Sequence, residues 1–281
     1  MRYIFARAAV VGGSLLLAGC GAMSDAQVAR AVASAEAAEA DSIRDIMLTV
    51  AEPREAIAYF NRKIGEDGTD VEAHRGLARS LTRGGRASEA VIAWRKTMAL
   101  PGATSVDAVG LAEALVRTGE WAEARAVLDS IPPTHETFNR YRIEAMVADA
   151  NQQWSRADSF YETAVDLTTR PAGVLNNWGF SKLTRGDTGA AERLFTEAIT
   201  YDESLFTAKN NLVLARAKRR NYTLPLVPMT QEERAQLLHT AGLAAVKQGD
   251  TDIGRTLLQD AIDTHPRHFE PAVRALQSLG A

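Results

Sequence analysis

Residues Val71 to Thr104 read VEAHRGLARSLTRGGRASEAVIAWRKTMALPGAT. Counted from Val71, Leu77 and Ala78 hold the seventh and eighth places, Leu81 the eleventh and Gly85 the fifteenth. Ala90 is twentieth, Trp94 twenty-fourth and Gly102 thirty-second. Apolar residues at these intervals form one stripe on each of two successive helices, and Gly84-Gly85 marks the turn between them. Small residues at the eighth and twentieth places let the two helices cross closely. The stretch therefore predicts a helical hairpin.

The phase continues outward. From Ser105 it gives Leu111, Ala112, Leu115, Gly119, Ala124 and Leu128. The next unit, near Phe138, carries Ala145, Ala157, Tyr161 and Ala164; the one from Ala172 carries Trp178-Gly179, Gly186-Asp187, Ala191, Phe195 and Ala198. A further unit from Ala235 holds Gly242, Gly249-Asp250, Leu258, Ala261 and Pro266, and Pro53-Arg54-Glu55-Ala56 with Phe60 reads as the second helix of a weaker unit. This spacing resembles the tetratricopeptide repeat. It predicts an all-α chain: a right-handed superhelical solenoid of tetratricopeptide helical hairpins.

One unit is broken. Asn210-Asn211-Leu212 opens a first helix expected to run to about Arg220, but its partner is replaced by NYTLPLVPM, residues 221 to 229. Pro225 and Pro228 forbid a regular helix there. Thr230 followed by Glu233 reads as a capping box that starts the next helix. The expected organisation is repeats over 37–220, an extended linker over 221–229, and a C-terminal repeat with a capping helix over 230–281. The linker's apolar residues either fill the missing helix's place or form a strap for a partner.

The N-terminus has a different logic. Arg2 and Arg7 are the only charged side chains before Cys20, the sole cysteine, and residues Ala8 to Ala18 are apolar or small. That run is too short to cross a bilayer as a stable helix. Leu17-Ala18-Gly19-Cys20 resembles the lipobox of bacterial lipoproteins at every position. The resemblance implies a signal peptide over 1–19, an acylated thiol and amine at Cys20, and a lipidated tether over 20–36. Two or more acyl chains make release slow, because each buried methylene is worth roughly 0.8 kcal/mol. Gly21, rather than an aspartate, implies sorting to the outer membrane, where the chain would face the periplasm. Loss of Arg2 and Arg7 moves the formal charge from −3 to −5. That argues against a nucleic-acid partner, which needs a concentrated basic face. With one cysteine, a disulfide framework is excluded.

No arrangement of residues asks for catalysis. His265 and His268 flank Pro266 on a turn without a cysteine or acidic cluster to complete a metal site. Gly84-Gly85 lacks the lysine of a phosphate-binding loop, and no serine sits in a nucleophile elbow. The chain is expected to be no enzyme, with no cofactor, metal or small-molecule substrate. A helical solenoid offers instead a concave groove lined by the first helix of each unit. Its inward places nominate Arg75, Arg79 and Arg83, then Glu113 and Arg117, then Asn176, Phe180 and Leu183, and finally Asn210, Leu214 and Lys218. A partner is expected on the strip of Asn176, Phe180, Asn210 and Leu214, where amides suit a peptide backbone and Phe180 supplies an apolar anchor. The basic end, Arg75 and Arg79, could instead dock an acidic tail.

The lipobox, the repeats, LNNWGFSKLTRG from Leu175 to Gly186 and the run Ala208-Lys209-Asn210-Asn211-Leu212 together resemble the TadD family. These are tetratricopeptide lipoproteins of the tight-adherence (Flp/Tad) pilus machinery, a type II secretion-like system. The resemblance spans roughly Ala37 to Leu279. It implies an outer-membrane scaffold, pilotin-like, that assists assembly of the pilus secretin by protein binding. The alternative is a tetratricopeptide lipoprotein that regulates a cell-envelope enzyme or an outer-membrane assembly machine. The linker at 221–229 departs from an ordinary array.

Overall fold

The computed structural model describes residues 25 to 280. Cys20 and the signal segment, which carry the lipidation expectation, lie outside the described residues. The chain divides into two units, Met1–Glu52 and Pro53–Ala281. The first contains helix α1 (Asp25–Thr49), which begins inside the stretch read as a tether.

The second unit is all helical among the described residues. Its helices are α2 (Pro53–Glu66), α3 (Val71–Arg83), α4 (Ala87–Met98), α5 (Ser105–Thr118), α6 (Trp121–Asp129), α7 (Phe138–Ala150) and α8 (Trp154–Asp166). They continue with α9 (Ala172–Thr184), α10 (Thr188–Tyr201), α11 (Phe206–Ala217), α12 (Gln231–Lys247), α13 (Thr251–Thr264) and α14 (Glu270–Ser278). From α2 to α14 helices pack on their chain neighbours, and α3, α5, α7, α9 and α11 also touch one another in succession. Such nearest-neighbour packing is that of a TPR-like right-handed solenoid of paired helices, as the repeat spacing predicts.

The repeat places explain the packing. The twenty-fourth place is a buried large side chain in every full unit: Phe60, Trp94, Leu128, Tyr161, Phe195 and Leu258. It requires a small neighbour. A methyl group on Gly179 would come within 2.7 Å of the Phe195 ring, and one on Gly76 would overlap the Phe60 ring. Ala56, Ala90, Ala124, Ala157 and Ala191, at the twentieth place, are fully buried where the helices cross.

The fifteenth place turns each hairpin in the left-handed region: Gly85, Gly119, Gly186 and Gly249 all have positive φ. Gln152 (φ 56°) and Arg220 (φ 57°) occupy the same place without being glycine. So the broken unit still makes its turn at Arg220, and only then departs from the repeat. Asn221 to Met229 run without helix; Tyr222, Leu224, Pro225, Val227 and Met229 are withdrawn from solvent, with the phase shifting at Leu224-Pro225. Tyr222 is buried against Ala217 and Ala245, while Leu224 and Met229 pack on the core around Val213, Leu237 and Ala241. Val227 packs on the core of the preceding hairpin. Thr223 and Leu226 point to solvent. The linker thus fills the space of the missing helix with its apolar side chains, Leu226 and Pro228 excepted. Helix α12 then starts in the expected capping box, with the Thr230 hydroxyl accepting from Glu233 N at 3.1 Å and Glu233 Oε2 accepting from Thr230 N at 2.8 Å.

Candidate protein-binding groove

The first helices α7, α9 and α11 line a concavity of about 530 Å³ together with the starts of α6 and α8. Its walls are apolar and amide-bearing: Phe180, Trp154, Trp121, Met146, Asn176 and Asn211. Phe180 is 51 % exposed, a large ring left to solvent in the middle of the strip. Of the nominated strip, Asn176 and Phe180 lie here, whereas Asn210 and Leu214 do not line it.

A ladder of side-chain bonds joins the first helices. Asn211 Nδ2 donates to Asn176 Oδ1 at 3.0 Å, and one unit later Thr240 Oγ1 donates to Asn210 Oδ1 at 2.8 Å. The fifth place of one unit therefore bonds the sixth place of the next. This fixes the amide planes and leaves the Asn176 NH2 and the Asn211 Oδ1 without a hydrogen bond among the described residues. Leu214 is half-buried against the core around Phe195 and Leu212. Leu183, also nominated for the groove, is buried. Both serve packing between helices rather than an open surface.

On the groove floor sits Asp149, the only charged side chain among the lining residues. Ser181 Oγ donates to its Oδ1 at 2.7 Å and the Tyr161 hydroxyl to its Oδ2 at 2.8 Å. Burial pushes the Asp149 carboxyl above its ordinary range, against the pull of those two bonds and of Arg185. Burial and the adjoining carboxylate push the Tyr161 phenol up in turn, so it remains a donor. Asp149, Trp121 and Trp154 were not singled out by the sequence. Asp149 does occupy the twelfth place counted from Phe138, the place that the nominated Leu183 holds in the unit from Ala172, which was the available signal.

Behind the groove, Asp158 on α8 gathers the cations of α9. Lys182 Nζ lies at 2.9 Å, Arg185 Nη2 at 2.5 Å and Trp178 Nε1 at 2.6 Å from its oxygens. Burial opposes the ionised form, but these donors prevail and hold the carboxyl at about 2. Arg185 also stacks over the Trp154 ring, 5.3 Å from its centroid, which fixes that groove wall.

The basic end is less basic than its composition implies. Arg75 is taken up by Asp107 and Glu72, so it joins α3 to α5 and is not free for a ligand. Arg79 is exposed, has no hydrogen bond or ion pair among the described residues, and lines a second concavity of about 480 Å³ with Trp94, Glu113, His135, Thr137 and Asn139. Glu113 is already shared by Arg117 at 3.0 Å and Arg142 at 3.1 Å. Among the described residues, no group of three or more His, Cys, Asp or Glu side chains could hold a metal ion, and no helix is long and apolar enough to cross a membrane.

No protein-family model and no curated protein sequence matches the chain. Solved structures do. A human IFIT1 dimer with m7Gppp-AAAA aligns with TM-score 0.58 and 15% identity over 81% of this chain and 58% of that one. The APC/C hetero-tetramer Cut9-Hcn1 aligns with TM-score 0.57 and 13% identity over 81% of this chain and 46% of that one. The chain thus spans about half the length of these two. At such identities the likeness is one of fold: a TPR-like array of helical hairpins.

Proposed function

We propose that this chain is a lipid-anchored scaffold of the bacterial outer membrane, facing the periplasm, whose groove between α7, α9 and α11 holds a component of a Tad-type pilus or related secretion complex. The pilus secretin is the leading partner, on the sequence resemblance to the TadD lipoproteins. The observation that carries the reading is the groove itself. It sets an exposed aromatic ring beside orientated amides that retain free donors and acceptors, the equipment for holding an extended peptide. Arg79 and its concavity would then serve as a secondary contact.

Two arms test it. Cys20→Ala should leave an uncleaved precursor that no longer fractionates with the outer membrane; normal fractionation would overturn the anchoring. Wild type, an Asn176→Ala/Phe180→Ala double variant and Arg79→Ala are then used to pull down secretin from solubilised membranes, with circular dichroism confirming intact helices. Loss of secretin in the double variant is expected. Retention there with loss in Arg79→Ala would move the site to the other concavity, and failure of wild type to retain secretin would remove that partner.

A further inference from the structure

We infer that the groove between α7, α9 and α11 selects a peptide carrying a lysine or arginine, whose cationic head meets Asp149 while an adjoining apolar side chain covers Phe180. The inference rests on the groove being the binding surface and goes further, to the chemistry of the occupant.

The argument starts from lone pairs. A carboxylate offers about four acceptor positions. Ser181 and Tyr161 take one on each oxygen, at 2.7 and 2.8 Å, and both are neutral hydroxyls. No cation forms an ion pair with Asp149 among the described residues. The nearby cations are spent elsewhere: Lys182 and Arg185 both bind Asp158. Yet Asp149 lines the open groove, so an incoming donor can reach it. A carboxylate half-withdrawn from water without a charged partner is costly, and a bound ammonium or guanidinium removes that cost.

The surroundings fit a long cationic side chain better than a bare ion. Trp121, Trp154, Met146 and Phe180 supply apolar and aromatic walls to cover the methylenes of such a side chain. Phe180 stands four residues, one helical turn, from Asn176, and the free amide groups of Asn176 and Asn211 are placed for the main chain of the same peptide. Asp149 is the one charged side chain lining the groove, so a single cation is matched there. The occupant is therefore a segment with a single basic residue beside an apolar one, and an acidic tail is disfavoured here.

The test uses the full-length protein and a pool of labelled twelve-residue peptides, randomised except for one central position fixed as Lys, Arg, Glu or norleucine. Binding is read by fluorescence anisotropy. The Lys and Arg pools should bind best, and changing Lys to norleucine in a selected peptide should weaken wild-type binding roughly tenfold to a hundredfold. Asp149→Asn should lose that preference, binding the Lys and norleucine peptides alike. The peptide-side change needs no protein variant, so the inference stays testable should Asp149→Asn fold poorly. Peptides that bind in a Phe180-dependent way with no preference for a cation would leave the groove standing and overturn the inference. No binding by any pool, or self-association abolished by Asp149→Asn, would overturn it too, the second by making another copy of this chain the occupant.

Discussion

Arg75 on α3 grips Asp107 on α5 with two parallel bonds, Nε to Oδ1 at 2.5 Å and Nη2 to Oδ2 at 2.7 Å, and the Asp107 side chain is wholly buried. The same carboxylate accepts from Thr104 N at 2.8 Å, which closes the cap of α5. One acid thus joins two hairpins and starts a helix. Burial raises the Asp107 carboxyl, but Arg75 and Thr104 outweigh it and hold it below its ordinary range.

Removing that acid should be severe. Asp107→Ala leaves the Arg75 guanidinium without its main partner and uncaps α5, at a cost of about 3–5 kcal/mol. Arg75→Met with Asp107→Leu should recover much of the loss, because the charges vanish together. Urea denaturation at neutral pH reads both. A loss below about 1 kcal/mol in the single variant would mean that the pair is solvated in solution.

Acid should loosen the junction of α8 and α9 through Asp158. Its carboxyl is lowered from the ordinary 3.8 to about 2. A depressed carboxyl contributes stability that is full above the unfolded value and lost as pH falls through the folded one. The window therefore runs from about pH 4 down to about 2, and the contribution is about 2 kcal/mol. Urea midpoints of wild type at pH 7, 4 and 2.5 should fall across that window. In Asp158→Asn the fall should be shallower and the midpoint at pH 7 lower; equal slopes in the two proteins would refute the assignment.

The architecture was legible because repeat places are set by local sterics. A large side chain at the twenty-fourth place and an alanine at the twentieth recur whatever the surface does, so Phe60, Trp94, Tyr161 and Phe195 could be placed from spacing alone. The groove was legible only in part. Asn176 and Phe180 follow from their places, but of the equivalent residues one unit later Leu214 packs on the core and Asn210 lies outside the groove lining. Which first-helix residues stay open depends on what the next unit presents. At Asn210 that is Thr240 of α12, and at Asn176 it is Asn211 of α11. Arg75 was misleading for a related reason: its partner Asp107 lies in the next unit, beyond any local pattern.

The hairpin turns offer a stability test in both directions. Gln152 adopts φ 56° at the place where Gly186 adopts φ 86°. A non-glycine residue in the left-handed region carries about 1 kcal/mol of strain. Gln152→Gly should relieve it, and after the entropy gained by the unfolded chain a net gain of at most about 0.5 kcal/mol remains. Gly186→Gln should lose about 1 kcal/mol. Thermal melts by circular dichroism would order the three proteins; a less stable Gln152→Gly variant would contradict the strain.

The linker at 221–229 makes the last prediction. Tyr222 packs on Ala217 and Ala245, and its hydroxyl donates to Asp250 Oδ2 at 2.5 Å. Arg220, fixed by the hairpin turn, reaches the other oxygen at 2.6 Å. The two residues before and after Asn221 therefore moor the extended segment to the start of α13. Four residues on, Leu226 is fully exposed between Pro225 and Pro228. Leu224 and Pro225 are both withdrawn from solvent, which shifts the alternation and turns Leu226 outward, so the segment should show two unlike sensitivities within a few positions. Tyr222→Ala empties an aromatic site in the core and should cost about 3–5 kcal/mol. Tyr222→Phe keeps the ring, loses the bond to a charged acceptor, and should cost about 1.5–3 kcal/mol. Leu226→Ser changes only the solvent face and should stay within about 0.5 kcal/mol. Urea melts followed at a tryptophan signal and by limited proteolysis at the linker would read all three. If Tyr222→Ala left both stability and cleavage unchanged, the segment would be a loose strap and not the replacement for a helix.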